Sequence, residues 1–240
     1  MNPNSFQNYQ TGHFFDEMFD GSNKSEAYDF YQPIYDRIGG LSASEFEEKK
    51  RQADSSFLEH GVTFTVYGDE TGTERIFPFD LIPRVIPDAE WQRVEQGLRQ
   101  RILALNLFLN DVYHGSKILA DGVIPEEVVK SSAHFREEMI GFDVPRDIYV
   151  HVCGSDLIRD KNGKYLVLED NARCPSGASY LLENREIMKK TFPRTYQKMS
   201  VRSVEAYPEY LLRSLEYLSP RKSQKPVCVL LTPGVYNSAY

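Results

Sequence analysis

The distribution of apolar residues divides the chain into helical and extended stretches. Helical patterns cover residues 42–61, 87–115, 178–192 and 204–218, and in 87–115 apolar residues recur at spacings of three and four. Residues 62–86 change to a period of two around a glycine-containing turn, which predicts a hairpin followed by an irregular, proline-rich segment. Because strands and helices are mixed without strict alternation, the pattern predicts an α+β fold with a mixed or antiparallel sheet and flanking helices.

Residues with capping preferences mark the ends of two of these helices. Ser42 and Glu45 fit a capping box, and Gly61 fits a helix stop. Asp88, which follows Pro87, is predicted to cap the long helix. The apolar stripe of that helix consists of Trp91, Val94, Leu98, Ile102, Leu105 and Leu109.

The two ends of the chain differ from its middle. Residues 1–22 mix Asn, Gln, Phe and Gly without a period, which predicts a poorly ordered arm whose aromatic side chains are available to dock on the body. Residues 226–234 form a short, continuous apolar run that ends in Pro-Gly, the pattern of a fully buried strand. We therefore divide the chain into the arm, a main portion at 23–220, and the start of a following α/β portion at 221–240.

The segment at 154–177 contains a second predicted hairpin, with carboxylates on both strands. Asn162-Gly163 lies between two apolar-rich runs and favours a two-residue type I′ turn, in which Lys161 faces Lys164. The register that follows pairs Asp160 with Tyr165, Ile158 with Val167, and Asp156 with Glu169.

In this register Asp156, Glu169 and Asn171 share one face, with the two carboxylates opposed at about 5 Å between Cβ atoms. Asp170 and Arg159 lie on the other face. Opposed like charges are destabilising, and a divalent cation removes the repulsion; two carboxylates and an amide are ligands that suit Mg²⁺. A solvated charged edge is the alternative, and a three-residue loop with a bulge would shift the register by one and separate the carboxylates.

The loop after the hairpin supplies groups that suit phosphate. Arg173 offers a guanidinium, and Ser176 and Gly177 precede a helix whose first backbone N–H groups are free, although such a tripeptide is more often only a turn with a serine cap. Arg185 lies on that helix and either reaches phosphate or pairs with a glutamate on the surface. Arg84 lies in the proline-flanked segment, where a positioned charge and a solvated one are equally compatible with the sequence.

Composition excludes several other classes of function. The net charge of −7 argues against general nucleic-acid binding, because a surface that neutralises phosphates is normally basic. No apolar run approaches the ~18 residues needed to span a bilayer and no signal-peptide pattern is present, so we expect a cytoplasmic protein without membrane association. The five histidines and three cysteines have no metal-site spacing. Oligomeric state is not indicated.

Several motifs together resemble a known family. The acidic hairpin with Arg173 and Pro175-Ser176-Gly177 looks like the metal-binding end of an ATP-grasp ligase. The resemblance extends over nearly the whole chain from about Phe15 and indicates the circularly permuted type 2 ATP-grasp proteins, relatives of the glutathionylspermidine synthases. The motifs that carry it lie at residues 61–86, 100–113, 165–185 and 230–240.

This resemblance implies an ATP-grasp fold and an ATP- and Mg²⁺-dependent ligase that joins a small-molecule or peptide carboxylate to an amine through an acyl phosphate. It implies that Asp156, Glu169 and Asn171 hold metal, that Arg173 and Arg185 are catalytic, and that ATP is contacted by Arg173, Ser176, Gly177 and Arg84. Members of the family continue beyond the equivalent of Tyr240, so we expect this chain to be the N-terminal half of a longer protein.

The sequence departs from the ATP-grasp pattern at one position near the proposed metal ligands. Many ATP-grasp ligases have an arginine two residues before the first acidic ligand, where this chain has Gly154. An incomplete, non-catalytic half that acts as a binding or assembly partner is the alternative function, and a metal-dependent hydrolase is a weaker one, since no histidine ligands are indicated.

Overall fold

A computed structural model describes residue 6 and residues 8–19, 27–65, 74–76, 78–173, 175–221, 225–229 and 231. Its helices are α1 (Gln32–Gly39), α2 (Ala43–Glu59), α3 (Asp88–Tyr113), α4 (Lys117–Ala120), α5 (Glu126–Lys130), α6 (Ala178–Thr191), α7 (Pro193–Lys198) and α8 (Tyr207–Leu218), with short 3₁₀ turns at Tyr28–Tyr31, Glu137–Met139 and Pro145–Asp147. The strands are β1 (Thr63–Thr65), β2 (Glu74–Ile76), β3 (Gly154–Arg159) and β4 (Tyr165–Asn171).

Each strand pairs with its neighbour in sequence, so the described residues form two separate antiparallel hairpins, β1–β2 and β3–β4. The predicted α+β class is confirmed by this mixture of helices and small antiparallel sheets. In the first hairpin Thr63 lies opposite Ile76 and Thr65 opposite Glu74. The connection between these strands, residues 66–73, lies outside the described residues.

The sequence signals at both ends of α2 are confirmed. The Ser42 hydroxyl accepts a hydrogen bond from the Glu45 N–H at 3.3 Å, and the Glu45 carboxylate accepts one from the Ser42 N–H at 2.8 Å. At the other end, Gly61 has a φ of +69°. The N–H of Val62 donates to the Phe57 carbonyl at 2.9 Å, so the helix ends in a Schellman motif, for which glycine is favoured.

The long helix α3 begins one residue earlier than predicted. Pro87 is the N-cap residue and Asp88 is the first helical residue, so the prediction that Asp88 caps the helix is wrong. In the first turn its carboxylate is still favoured by the helix dipole, and it accepts a hydrogen bond from Gln92 and pairs with Arg202. The predicted apolar stripe is half-buried, apart from Trp91, which is exposed.

The main core lies between the N-terminal helices and the helix that follows the β3–β4 hairpin. It therefore anchors α6, which carries the loop of the candidate site at its N-terminus. The Lys49 ammonium also donates to the carbonyl of Thr191 at 2.9 Å, joining α2 to the end of α6. The buried members of this core are Ala27, Tyr31, Ile34, Ile38, Leu41, Ala53, Phe57, Leu81, Ile187 and Phe192.

The described part of the predicted arm, Phe6 and residues 8–19, contacts the body. The Phe19 ring lies 5.2 Å from the Phe6 ring and 5.9 Å from that of Tyr35, between centroids. The Asp16 carboxylate accepts hydrogen bonds from the backbone N–H groups of Met18 and Phe19. Residues 1–5, 7 and 20–22 of the arm lie outside the described residues.

The predicted buried strand at 226–234 is wrong for the residues that the structure describes there. Residues 225–229 form no strand, and Val227 and Val229 are exposed. A strand needs a hydrogen-bonding partner, and none of the described residues pairs with this segment. Residues 230 and 232–240 lie outside the description. Among the described helices, none is long and apolar enough to cross a membrane.

Candidate metal and phosphate site

The β3–β4 turn has three residues, Lys161 to Gly163, so the predicted two-residue type I′ turn is wrong. Gly163 has a φ of +78°, whereas Asn162 does not have the positive φ that type I′ demands. The Asp160 carboxylate explains the difference, because it accepts hydrogen bonds from the N–H groups of Asn162 and Lys164 at 2.9 and 2.8 Å. This local acceptor stabilises a longer loop that closes on glycine.

The longer turn shifts the register near it by one residue. The predicted pairs of Asp160 with Tyr165 and Ile158 with Val167 are therefore wrong. The structure instead places Arg159 opposite Tyr165, Ile158 opposite Leu166, and Leu157 opposite Val167.

A second irregularity reverses the shift before the acidic residues are reached. The register changes between Asp156 and Leu157, and Leu168 is left without an opposite residue, as in a β-bulge. Asp156 then lies opposite Glu169, and Gly154 lies opposite Asn171. The predicted opposition of the two carboxylates is thus confirmed.

The exposed side chains of Asp156, Glu169 and Asn171 lie on the outer face of this hairpin. The Asn171 amide donates to a Glu169 carboxylate oxygen at 3.1 Å, which joins two of the three groups. Within the described part of the chain, the side chain of Asp156 has no hydrogen-bond or ion-pair partner. Directly opposed residues have Cβ atoms about 5 Å apart, so the two negative charges repel each other without a cation.

These groups fit a hard divalent cation. They offer carboxylate and amide oxygens on an exposed surface with room for water and phosphate, which suits Mg²⁺. Across the described ranges, no group of three or more His, Cys, Asp or Glu side chains has the arrangement of a metal site. The candidate ligands are two carboxylates and one amide. Mg²⁺ sites with so few protein ligands are common where substrate phosphates supply the remaining ligands.

Asp170 points to the inner face, as expected, and is held there by two donors. The Ser155 hydroxyl donates to its carboxylate at 2.7 Å, and the Arg101 guanidinium donates at 2.5 Å. The hydrogen bond from Ser155, together with Arg101, lowers the pKa of Asp170. Arg101 extends from α3, so this contact attaches the acidic end of β4 to the long helix.

Arg159, also on the inner face, is buried between two acidic residues. It donates to Glu17 at 2.6 Å and to Glu90, and its guanidinium lies 4.5 Å from the centre of the Tyr165 ring. Burial by itself raises the pKa of Glu17, but the hydrogen bonds from Arg84 and Arg159 outweigh burial and lower it. The sequence showed no signal for this network, because its members are far apart in the chain.

Arg84 belongs to the same network and not to the outer face. Its guanidinium donates to both carboxylate oxygens of Glu17, at 3.1 Å from Nε and by a shorter contact from Nη2. The contact between Arg84 and ATP stays a prediction. It would require the Arg84 guanidinium to release the Glu17 carboxylate.

The loop after the hairpin passes close to the acidic residues. Gly154 lies beneath it, and a Cβ atom at Gly154 would be 3.0 Å from the Cβ of Pro175 and 3.8 Å from that of Asn171. A side chain at this position would therefore displace the loop, which gives a physical reason for glycine where many ATP-grasp ligases have arginine. Arg173 and Ser176 are exposed on the loop.

Gly177 is the N-cap residue of α6, with a φ of +96° and no side-chain cap hydrogen bond. The N-cap residue therefore offers no side-chain acceptor to the first turn of α6, and Ser176 is not the N-cap residue. About two turns further along, Arg185 forms no ion pair with any residue that the structure describes. Of the two alternatives for Arg185, pairing with a surface glutamate is not observed among these residues.

Residues 83–240 match the family model described as circularly permuted ATP-grasp type 2. The chain belongs to this family. The matched region of this ATP-grasp chain contains Arg84, the acidic hairpin, the loop and α6. The resemblance recognised from the motifs is confirmed.

Relatives of this ATP-grasp chain are considerably longer than the chain itself. An uncharacterized protein of Synechocystis sp. is 45% identical over 236 residues, which are 98% of this chain and 48% of the relative. An uncharacterized protein of Mycobacterium tuberculosis is 43% identical over 226 residues, 94% of this chain and 40% of the relative. The chain spans about half the length of the curated relatives it matches, in agreement with the expected half-length chain.

A third relative has a name that mentions an activity. The Frankia casuarinae protein named "Putative glutamate--cysteine ligase 2-2" is 32% identical over 213 residues, which are 88% of this chain and 24% of the relative.

Proposed function

We propose that this chain is the metal-binding part of an ATP- and Mg²⁺-dependent ligase that joins a carboxylate to an amine through an acyl phosphate. The observation that carries the proposal is the opposition of Asp156 and Glu169 beside Asn171, on an exposed hairpin of an ATP-grasp family member. The name of the Frankia relative refers to a ligase of two amino acids, which supports small-molecule or peptide substrates.

In this proposal Asp156 and Glu169 hold one Mg²⁺ ion, and Glu169 with Asn171 holds a second. Bound Mg²⁺ neutralises phosphate charge during phosphoryl transfer. The hydrogen bond between Asn171 and Glu169 orients both side chains before the cation binds, and it uses the amide nitrogen, which leaves the amide oxygen for the metal.

The positive groups of the site complete the proposal. Arg173 and the N-terminal end of α6 bind phosphate oxygens, with Ser176 beside them, because helix N-termini and guanidinium groups both favour phosphate. Arg185 stabilises charge on the acyl phosphate from α6. Arg84 contacts ATP only after exchanging Glu17 for a phosphate group.

The test is amine-dependent release of ADP by a protein of the relatives' full length that contains this sequence. A panel of amino acids and short peptides supplies the carboxylate and the amine. We expect turnover with a matching pair, and we expect Asn171→Ala to reduce kcat by about 100-fold, because the amide oxygen that would help to hold Mg²⁺ is lost.

Asn162→Ala is a control, since Asn162 is an exposed turn residue of the same hairpin away from the acidic face. Normal activity of the Asn171→Ala protein would contradict the metal assignment. Absence of ADP release with every substrate pair would instead favour the alternative function, a non-catalytic binding or assembly partner.

A further inference from the structure

The turn of the β3–β4 hairpin does not by itself place Asp156 opposite Glu169. The turn sets the register of the residues nearest to it, and Leu157 lies opposite Val167 in that register. Continued without a break, this register would place Asp156 opposite Leu168. In the structure Leu168 is instead the extra residue of a bulge, and Asp156 lies opposite Glu169. The position of the bulge therefore decides which residue faces Asp156.

The unbroken register would separate the proposed metal ligands. A shift by one residue turns every side chain beyond it to the other face of the strand. Glu169 and Asn171 would then leave the outer face, and Asp170 would turn outwards between them. Because a bulge interrupts the regular hydrogen bonding between two strands, the observed register needs support from side chains beyond the bulge.

Asp170 is placed to give this support. It lies opposite Ser155, in the cross-strand pair next to that of Asp156 and Glu169. The Ser155 hydroxyl donates to one oxygen of the Asp170 carboxylate at 2.7 Å, and Arg101 Nε donates to the other at 2.5 Å. Only 9% of the Asp170 side chain is exposed, so water competes little for these charge-assisted hydrogen bonds. Both bonds are lost if Asp170 turns to the outer face.

Two ion pairs attach the hairpin to α3, one on each side of the bulge. Arg101 of α3 holds Asp170 beside the acidic residues, and Glu90 of α3 holds Arg159 near the turn. Between these two attachments β4 has one residue more than β3, namely Leu168. The spacing of the attachments is set by the helix, at about 16 Å along its axis. Helix α3 thus favours the hairpin in which the bulge lies between them.

We infer that Asp170, held by Ser155 and Arg101, is a positioning residue that selects the register in which Asp156 lies opposite Glu169. Asp170 does not touch the metal in this role. It acts through the residues on either side of it in β4, whose side chains it keeps on the outer face. Its importance for the metal rests on the proposed function, whereas its effect on the register does not.

The affinity of the chain for Mn²⁺, measured by electron paramagnetic resonance, tests the effect on the metal. Arg101→Gln removes a positive charge, so a purely electrostatic effect would strengthen Mn²⁺ binding. The inferred role predicts the opposite, an affinity at least about tenfold lower, because groups that orient metal ligands commonly change affinity by that factor when replaced. Arg99→Gln is the matched control, since Arg99 is on the same helix and pairs with Glu95 of that helix. It should bind Mn²⁺ at least as tightly as the parent chain.

Substitutions of Ser155 test the same role without a change of charge. Ser155→Ala removes the hydroxyl that donates to Asp170 and should weaken Mn²⁺ binding about fivefold. Ser155→Thr keeps a hydroxyl at this position and suits a strand, so it should bind like the parent chain. Equal affinities of the alanine variant and the parent would count against the inference.

Nuclear magnetic resonance of the metal-free chain measures the register itself. The parent should show nuclear Overhauser effects between the backbones of Asp156 and Glu169. In the double variant Arg101→Gln, Ser155→Ala, effects between Asp156 and Leu168 should appear. A double variant with only the parent's pattern would overturn the inference, as would tighter Mn²⁺ binding by Arg101→Gln. A parent chain that binds no Mn²⁺ would contradict the proposed metal site instead, and the spectra would still decide whether Asp170 selects the register.

Discussion

At the scale of single residues, Asp156 and Glu169 combine exposure with opposition. Removing the charge of an exposed carboxylate usually changes stability little. Asp156 and Glu169 differ from other exposed acidic residues because they lie opposite each other and their charges repel. Because the two carboxylates are exposed and opposed, we expect substitution of either one to change cation binding more than stability.

We expect Mg²⁺ or Mn²⁺ to bind the chain weakly, and Asp156→Asn or Glu169→Gln to weaken binding by at least about tenfold, because each change removes half of the local charge. Titration calorimetry measures the affinities. Asp143→Asn is the matched control, because the Asp143 side chain is 96% exposed and lies outside the site. Equal affinity in all four proteins would mean that the hairpin is only a charged edge.

Glu17 gives a second prediction, concerning stability and pH. Its pKa is lowered from an ordinary value of 4.5, so its contribution is present above that pH and is lost as pH falls through the lowered value. Glu17→Gln should cost about 3 kcal/mol at pH 7, since it leaves buried Arg159 without one of its partners. The difference between parent and variant should shrink below pH 4.5.

Urea unfolding at several pH values measures this difference. Glu127→Gln, an exposed substitution on α5, should change stability by less than about 0.5 kcal/mol at every pH. A Glu17→Gln protein that keeps the same stability as the parent at pH 7 would contradict the prediction.

At the scale of elements, the β3–β4 hairpin has two irregularities that cancel. The three-residue turn shifts the register by one, and the bulge at Leu168 shifts it back. The sequence-based register assumed a regular hairpin without either shift. It therefore predicted the correct pairing of Asp156 with Glu169, where the two shifts cancel. The capping box of α2 could be predicted in detail because its contacts are local, whereas nothing in the sequence around Leu168 marks a bulge.

The same distinction between local and distant contacts explains what else could be predicted. The ends of α2 and the acidic cluster follow from neighbouring residues and family motifs. The contacts of Arg159 with Glu17 and Glu90 join residues that are 142 and 69 positions apart, and no spacing rule connects them. The packing of α3 on the inner face of the hairpin likewise depends on distant contacts, which periodicity does not specify.

Gly163 supports a prediction about the turn. Besides its φ of +78°, a Cβ atom there would lie 2.6 Å from the Phe15 ring. Gly163→Ala should therefore destabilise the chain by about 2–4 kcal/mol, combining backbone strain with displacement of a packed ring. Gly122→Ala is the control: its φ is +68° with nothing within 4 Å, so it measures the backbone strain alone, about 1 kcal/mol. Chemical denaturation should show the larger loss for Gly163→Ala, and equal losses would exclude the steric contribution of Phe15.

At the scale of the whole molecule, apolar surface remains uncovered on described elements. None of the residues of α8 is buried, although it is amphipathic, and Ile158, Leu166 and Leu168 are exposed on the outer face of the hairpin. Exposed apolar surface commonly marks a region that contacts other protein.

This surface predicts that the 240-residue chain binds a hydrophobic dye such as ANS. Leu168→Gln should reduce dye fluorescence while changing the free energy of unfolding by less than about 0.5 kcal/mol, because the side chain is 66% exposed. Leu157→Ala, on the inner face, should instead destabilise the chain by about 1–3 kcal/mol. A large loss of stability in Leu168→Gln would show that the outer face is already packed.

The contact between Glu17 and Arg159 also bears on how the protein is made. The two residues are separated by 142 positions, so during synthesis Glu17 leaves the ribosome long before its buried partner. Closing so long a loop is slow, whereas α2 and the two hairpins depend on neighbouring residues. Docking of Glu17 should therefore be among the last folding events on the ribosome, and until then the inner face of the hairpin is accessible to chaperones.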